Sequence, residues 1–339
     1  MRFLRTQSLK VTVAFALLTL CFVANICTGS TGISLRAVID YIFGNTDEEL
    51  SFIIGSIRIP KALTALFVGM SLSAAGLVMQ TLFRNRLAGP YVLGLSSGSS
   101  LAVAFLLMGN SILQGSLSNF LNQPYAIALA SFAGSLAVLF LVLGIAKRVA
   151  DSSTVLVAGI MISSFAGAIT GVLSYFTTAE NLQRYTFWSM GSLANLTGIE
   201  LLILVVVSIV GLLLFLPKLG ALDSLILGDQ YAQSMGVALQ QARFYLILVT
   251  ALLVGVSTAF CGPIAFVGLA VPHLSRQLYS VNTHQKLFPL TVATGGTIML
   301  LADLLCKLPI EGWNLPINAV TSLIGAPVVM YLILKNRNV

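Results

Sequence analysis

Arg58-Ile-Pro-Lys61 leads into Ala62–Phe83, a run of 22 residues with no charged side chain, and Arg84-Asn-Arg-Leu-Ala-Gly-Pro-Tyr-Val-Leu-Gly94 closes it. About 20 apolar residues suffice to cross a bilayer, so the stretch reads as one membrane span, bracketed by basic residues and followed by a Gly-Pro break. The same pattern recurs outward along the chain. Further uncharged runs lie at Val11–Cys27, Leu87–Ala146, Ser152–Phe176, Leu201–Leu216, Phe244–Ser275, Leu287–Leu305 and Ile317–Leu334. Leu87–Ala146 is 60 residues long, too much for one helix, and is divided at Gly109-Asn-Ser111 and again between Asn119 and Pro124.

The whole composition agrees. The chain is 57% hydrophobic and 9% charged, with a mean hydropathy of +0.97, whereas soluble chains carry about 25% charged residues. The expected fold is an all-α polytopic membrane protein, a single integral domain over residues 1–339. No segment is long and polar enough for a separate soluble domain, and the phosphate-cradling G-x-x-x-x-G-K-[ST] pattern is missing. Any ATP chemistry must come from a partner chain. Cys21, Cys27, Cys261 and Cys306 form no C-x-x-C pair and sit in or beside apolar runs, which reads as packed thiols. Arg2, Arg5 and Lys10 before an apolar run resemble a signal peptide, but the run is long enough to span and is read as an uncleaved first helix.

The net charge of +7 is explained by topology. If Phe244–Ser275 holds two spans broken at Gly262-Pro263, the chain crosses ten times with both termini inside. Arg2, Arg5, Lys10, Arg84, Arg86, Lys147, Arg148, Lys218, Arg243, Arg276, Lys286, Lys335 and Arg337 are then cytoplasmic, 13 of the 18 basic residues. One span there would flip every later loop and leave 10 against 8, so the positive-inside rule favours ten and no nucleic acid is needed. Gly89-Pro-Tyr-Val-Leu-Gly-Leu95 and Gly262-Pro-Ile-Ala-Phe-Val-Gly-Leu269 share a Gly-Pro start and a Gly-Leu end. Read as lying on opposite sides of the membrane, they suggest an inverted repeat of spans two to five against seven to ten.

Between spans six and seven, Lys218–Arg243 is the longest inside segment away from the termini. Leu222, Leu225 and Ile226, then Tyr231, Met235 and Ala232, recur at helical spacing around Gly228, predicting two short helices hinged at Gly228 and stopped at Gly236. Such a pair either docks on a partner or packs on its own spans; the residues alone leave both open.

Taken in order, six motifs resemble one family, the permeases of bacterial type II ABC importers for iron–siderophores, haem or cobalamin. They are Arg58-Ile-Pro-Lys61, Arg84-Asn-Arg-Leu-Ala-Gly-Pro90, Trp188-Ser-Met-Gly-Ser-Leu193, Leu227-Gly-Asp229 with Ala232 and Met235-Gly236, Gly262–Leu269 with Pro272-His273 and Arg276, and Ala302-Asp303 with Leu315-Pro316. The resemblance covers essentially the whole chain. It implies ten helices, a permease dimer (a homodimer is expected), two cytoplasmic ATPase subunits, and a periplasmic or lipoprotein substrate-binding protein, all at the bacterial inner membrane. It implies a transport subunit and not an enzyme; no catalytic, cofactor-binding or metal-ligating residue is assigned.

Site residues follow from the same resemblance. Asp223, Leu227, Gly228, Asp229, Ala232, Met235 and Gly236 would couple to the ATPase. Arg58, Lys61 and Lys307, outside and at span ends, would meet acidic residues of the binding protein, the plainer alternative being interfacial anchoring. Asn85 and Leu87, with Asp151, Ser152, Ser153 and Thr154, would form a cytoplasmic gate, although the small polar residues also suit a helix cap. The chain departs from the family at Arg86, where proline is usual, and at Asn314 and Asn318. Two other classes stay in view: a secondary transporter driven by an ion gradient, for which Asp303 is the candidate carboxylate, and a structural or signalling subunit. His273 reads as a hydrogen-bonded structural histidine and only in principle as a haem ligand.

Overall fold

The computed structural model describes residues 2–29, 32–109, 124–149, 152–194, 196, 198–281, 283–307 and 314–335. Among these residues all regular structure is helical. In chain order the helices are α1 (Arg2–Cys27), α2 (Leu35–Ile42), α3 (Glu48–Phe52), α4 (Ile59–Leu82), α5 (Leu95–Gly109), α6 (Pro124–Arg148), α7 (Ser152–Phe176), α8 (Ala179–Ser189), α9 (Gly198–Phe215), α10 (Leu219–Leu227), α11 (Asp229–Ser234), α12 (Leu239–Cys261), α13 (Val267–Tyr279), α14 (His284–Cys306) and α15 (Ile317–Lys335).

Among the described residues, seven helical stretches are long and apolar enough to cross a membrane; Leu95–Gly109 and Ile317–Tyr331 are apolar but shorter. At 1.5 Å per residue the 13 residues of α13 reach only about 20 Å. The ambiguous run Phe244–Ser275 is divided where the sequence reading puts the break: Gly262 has φ 73° and Phe266 φ 65°, and α13 starts after them.

The hub is α4, which packs on α9, α12, α13 and α14. The span that contains it is 78% buried, against 22% for that of α7, so α4 is central and α7 peripheral. Small residues make the centre possible. A Cβ on Gly76 would fall on the carbonyl of Gly268, and one on Gly69 on that of Gly295. Apolar helices gain little from burial against lipid, and such close backbone approach supplies the packing. The helix begins earlier than the uncharged run suggests. Glu48 and Glu49 sit in the first turn of α3, where the helix dipole favours acids, and a π-helical turn over Ile53–Arg58 carries the chain into α4 without a stop.

One sequence expectation is corrected. The two Gly-Pro breaks do not lie on opposite sides; they meet. After Leu82 the chain turns back, so that Pro90 comes level with the middle of α4, where Gly268 also packs against Leu72. The backbone N–H of Ile264 donates to the Tyr91 hydroxyl. Irregular backbone in a membrane protein must be buried in protein or face water, and each break here is covered by the other. From this junction the two short helices run in opposite senses. The α13 helix heads for the Gln80 end of α4, where Arg276 Nη1 donates to Gln80 Oε1 at 2.6 Å. The α5 helix heads the other way, to Ser174 near the end of α7, whose hydroxyl contacts Met108.

Candidate functional site: two charged ends of the bundle

The end of the bundle holding Leu82 and His284 gathers the Lys218–Arg243 segment. As the sequence predicts, it forms two short helices, α10 and α11, around Gly228. Gly228 has φ 125° and ψ 156°, a conformation that side chains resist, although a Cβ there would meet open space. Gly236, at φ 83°, ends the pair in the same way. Of the two open alternatives, packing on the chain's own spans holds for one face of the pair, and the other face is exposed. Leu222, Leu225 and Ala232 are fully buried against the chain's own helices. Leu227 at the end of α10, and Tyr231 and Met235 four residues apart in and just past α11, form an apolar patch, each half or more exposed.

Two aspartates tie this segment to the spans. Asp223 Oδ1 accepts from the His284 backbone N–H at 2.9 Å and lies 2.6 Å from His284 Nδ1. His284 Nε2 is in turn 2.8 Å from the Thr81 hydroxyl. Asp223 therefore joins α10 to the start of α14 and, through the imidazole, to the last turn of α4. Asp229 is shared between two arginines: Arg84 Nη2 pairs with Oδ1, and Arg243 Nη2 with Oδ2 at 2.7 Å. Arg84 also donates from Nε to the Leu225 carbonyl at 2.9 Å. It does so from a left-handed φ of 45°, just past the end of α4. Sequence reasoning named both aspartates but missed Arg84, Arg243 and His284 as their partners.

The gate candidates lie around the same turn. Asn85 Oδ1 accepts from the Leu87 N–H at 2.9 Å, closing an Asx turn, and Leu87 is exposed. Ser152, Ser153 and Thr154 open α7, with Thr154 exposed, while Asp151 lies outside the described residues. Contact between the turn and α7 comes further along both: a Cβ on Gly94 would lie 3.1 Å from the Gly159 carbonyl and the Ser163 hydroxyl.

At the opposite end, the three cations assigned to docking are not free surface charges. Lys61 and Lys307 pair with Asp303, which is 2% exposed, and Arg58 is held beside them. Lys61 Nζ lies 3.0 Å from Asp303 Oδ1, and Lys307 Nζ 3.0 Å from Oδ2. Asn25 Nδ2 donates to the same Oδ2 at 3.0 Å. Lys307 Nζ also reaches the Thr28 carbonyl at 3.3 Å, and Arg58 Nη1 reaches it at 2.7 Å. Arg58 is 8% exposed. Burial pulls the Lys307 ammonium below its ordinary value, and Asp303 opposes that shift. Three cations and one carboxylate leave the cluster positive, so what this face can present is the field of a held cluster and not mobile side chains.

His273 is buried, and its Nδ1 has no hydrogen-bond partner among the described residues, so the hydrogen-bonded reading fails at that nitrogen. No cluster of three or more metal-ligating side chains occurs among the described residues. The four cysteines are free thiols, three of them buried.

Comparison with known proteins shows the family to which this architecture belongs. The hemin transport system permease protein HmuU of Yersinia pestis is 35% identical over 294 residues, 86% of each chain. The vitamin B12 import system permease protein BtuC of Klebsiella pneumoniae is 33% identical over 285 residues, 84% of this chain and 83% of that one. A solved structure of an inward-facing ABC transporter, assigned to the metal-chelate type, superposes with a TM-score of 0.83 at 29% identity, covering 96% of this chain and 98% of the other. The profile of the FecCD transport family matches residues 17–335, and the chain belongs to that family.

Proposed function

We propose that the chain is the permease subunit of a type II ABC importer, carrying a metal chelate or corrinoid from a binding protein into the cytoplasm. Its relatives transport hemin and vitamin B12, and iron–siderophore is the cargo we favour here as the broadest of the group. The complete unit has two copies of this chain, two cytoplasmic ATPase subunits and a substrate-binding protein. Ten crossings, an inverted repeat that rests on the opposed courses of α5 and α13 and not on the placement of the breaks, and an inner-membrane location with both termini cytoplasmic belong to the same reading. Arg58, Lys61 and Lys307 mark the end that receives the binding protein, through the net positive field of their cluster. The turn at Asn85 and Leu87, with residues 151–154, forms the inner gate.

One observation carries the reading: Leu227, Tyr231 and Met235 are exposed on a helix pair bolted to α4 and α14. An apolar face is expensive to leave in water and suits a partner's groove, while Asp229 and Asp223 make the pair a lever. Movement of the ATPase would shift α10 and α11, and the Arg84 and His284 links would pass the shift to the gate turn and to α14. The ion-gradient alternative has no comparable support, because its candidate carboxylate Asp303 is engaged by Lys61 and Lys307.

Leu227→Asp with Met235→Asp tests the patch. The double variant should insert normally yet lose the ATPase on co-purification. Retention of a stoichiometric ATPase would remove the patch from the interface.

A further inference from the structure

Beside the Asp229 cluster, the ends of α4 and α6 and the starts of α7 and α12 border a groove of about 690 Å³. Its walls are apolar, with Leu82, Leu143, Ala146 and the half-exposed Phe244 among them. Its rim is cationic. Arg148 is exposed there, and Arg243 lines the groove from α12. Arg243 gives Nη2 to Asp229, but its Nε is buried with no hydrogen-bond partner. Buried N–H groups without an acceptor are uncommon in proteins. Among the described residues that line the groove, Arg148 and Arg243 are the charged ones, and Asp229 beside it already pairs with Arg243, so the rim carries surplus positive charge.

We propose that this groove binds an anionic phospholipid of the inner leaflet. The acyl chain lies along the Leu143 and Phe244 wall, and the phosphate oxygens accept from Arg148 at the rim, beside the Arg243 guanidinium that lines the groove. The chemistry is specific in both halves. A slot at the end of hydrophobic spans takes hydrocarbon that already lies beside it, and guanidinium groups match the oxygens of a phosphodiester. Anionic lipids are concentrated at the cytoplasmic face, to which this end of the bundle is turned under the reading above, and each arginine near that surface adds to the attraction.

Native mass spectrometry on the delipidated, full-length chain tests this without any transport assay, so its outcome stands apart from that of the importer reading. The probes are phosphatidylglycerol and phosphatidylcholine with identical acyl chains. One phosphatidylglycerol molecule should be retained at lower lipid concentration than phosphatidylcholine. Arg148→Gln should weaken that adduct about fivefold and leave phosphatidylcholine unchanged. Ala146→Phe, which fills the groove, should abolish the adduct. Equal retention of the two lipids by the unsubstituted chain would overturn the proposal, as would an adduct insensitive to both substitutions. Displacement of the lipid on adding the ATPase would also overturn it, because the groove would then be a subunit seat.

Discussion

Asp229→Asn should cut substrate uptake about tenfold, the size that a coupling energy of 1–2 kcal/mol gives, while the ATPase stays attached. The carboxylate is about a third exposed, so its loss should cost the fold less than about 1 kcal/mol. What it removes is a link. Asp229 holds Arg84 on one oxygen and Arg243 on the other, and Arg84 leads from the α10–α11 pair to the turn after α4. Arg84→Gln should therefore repeat most of the Asp229→Asn defect, whereas Arg243→Gln should be milder because the Arg84 pair survives. ATP hydrolysis measured alongside uptake separates lost coupling from lost assembly. A silent Arg84→Gln beside a severe Arg243→Gln would reverse this assignment of the route.

The second large effect is expected at the other end. Asp303→Ala leaves Lys61 and Lys307 buried with their counter-ion gone, and removing one partner of a buried pair costs about 3–5 kcal/mol. The yield of folded chain should fall, and the melting temperature in detergent should drop by several degrees. Exchanging all three residues, as Asp303→Leu with Lys61→Met and Lys307→Met, should recover most of the stability, because the triad then no longer has charge to bury. If Asp303→Ala melted like the unsubstituted chain, the cluster would be solvated and its cations available as ordinary surface charges.

The sequence was informative where physics acts locally. Absence of charge over 20 or more residues marks a span, and Gly262-Pro263 divides the run Phe244–Ser275 because that glycine takes a positive φ and proline brings no N–H. Gly228 and Gly236 gave the short helix pair by the same logic. Burial on that pair was readable only as a period: it groups Leu225 with Ile226, yet the first is buried and the second exposed. Long-range contacts left no local trace. Nothing in the run Gly89–Leu95 announces that Tyr91 will reach Ile264, 173 residues on. The spacing of four between Asp303 and Lys307 was a local signal left unread, whereas Lys61 looked like an outer-surface charge because its carboxylate, Asp303, comes from a distant helix. The reach of Arg84 and Arg243 to a single aspartate was hidden for the same reason.

The central claim is that this chain moves substrate only when driven by a partner ATPase through the α10–α11 pair. The direct test is uptake of a radiolabelled iron–siderophore, hemin or cobalamin into proteoliposomes holding the permease and its ATPase, with the loaded binding protein outside and ATP inside. The account predicts uptake that needs ATP and the binding protein, that persists when ion gradients are collapsed, and that Asp229→Asn suppresses. Uptake by the permease alone, driven by an imposed ion gradient and indifferent to ATP, would contradict it.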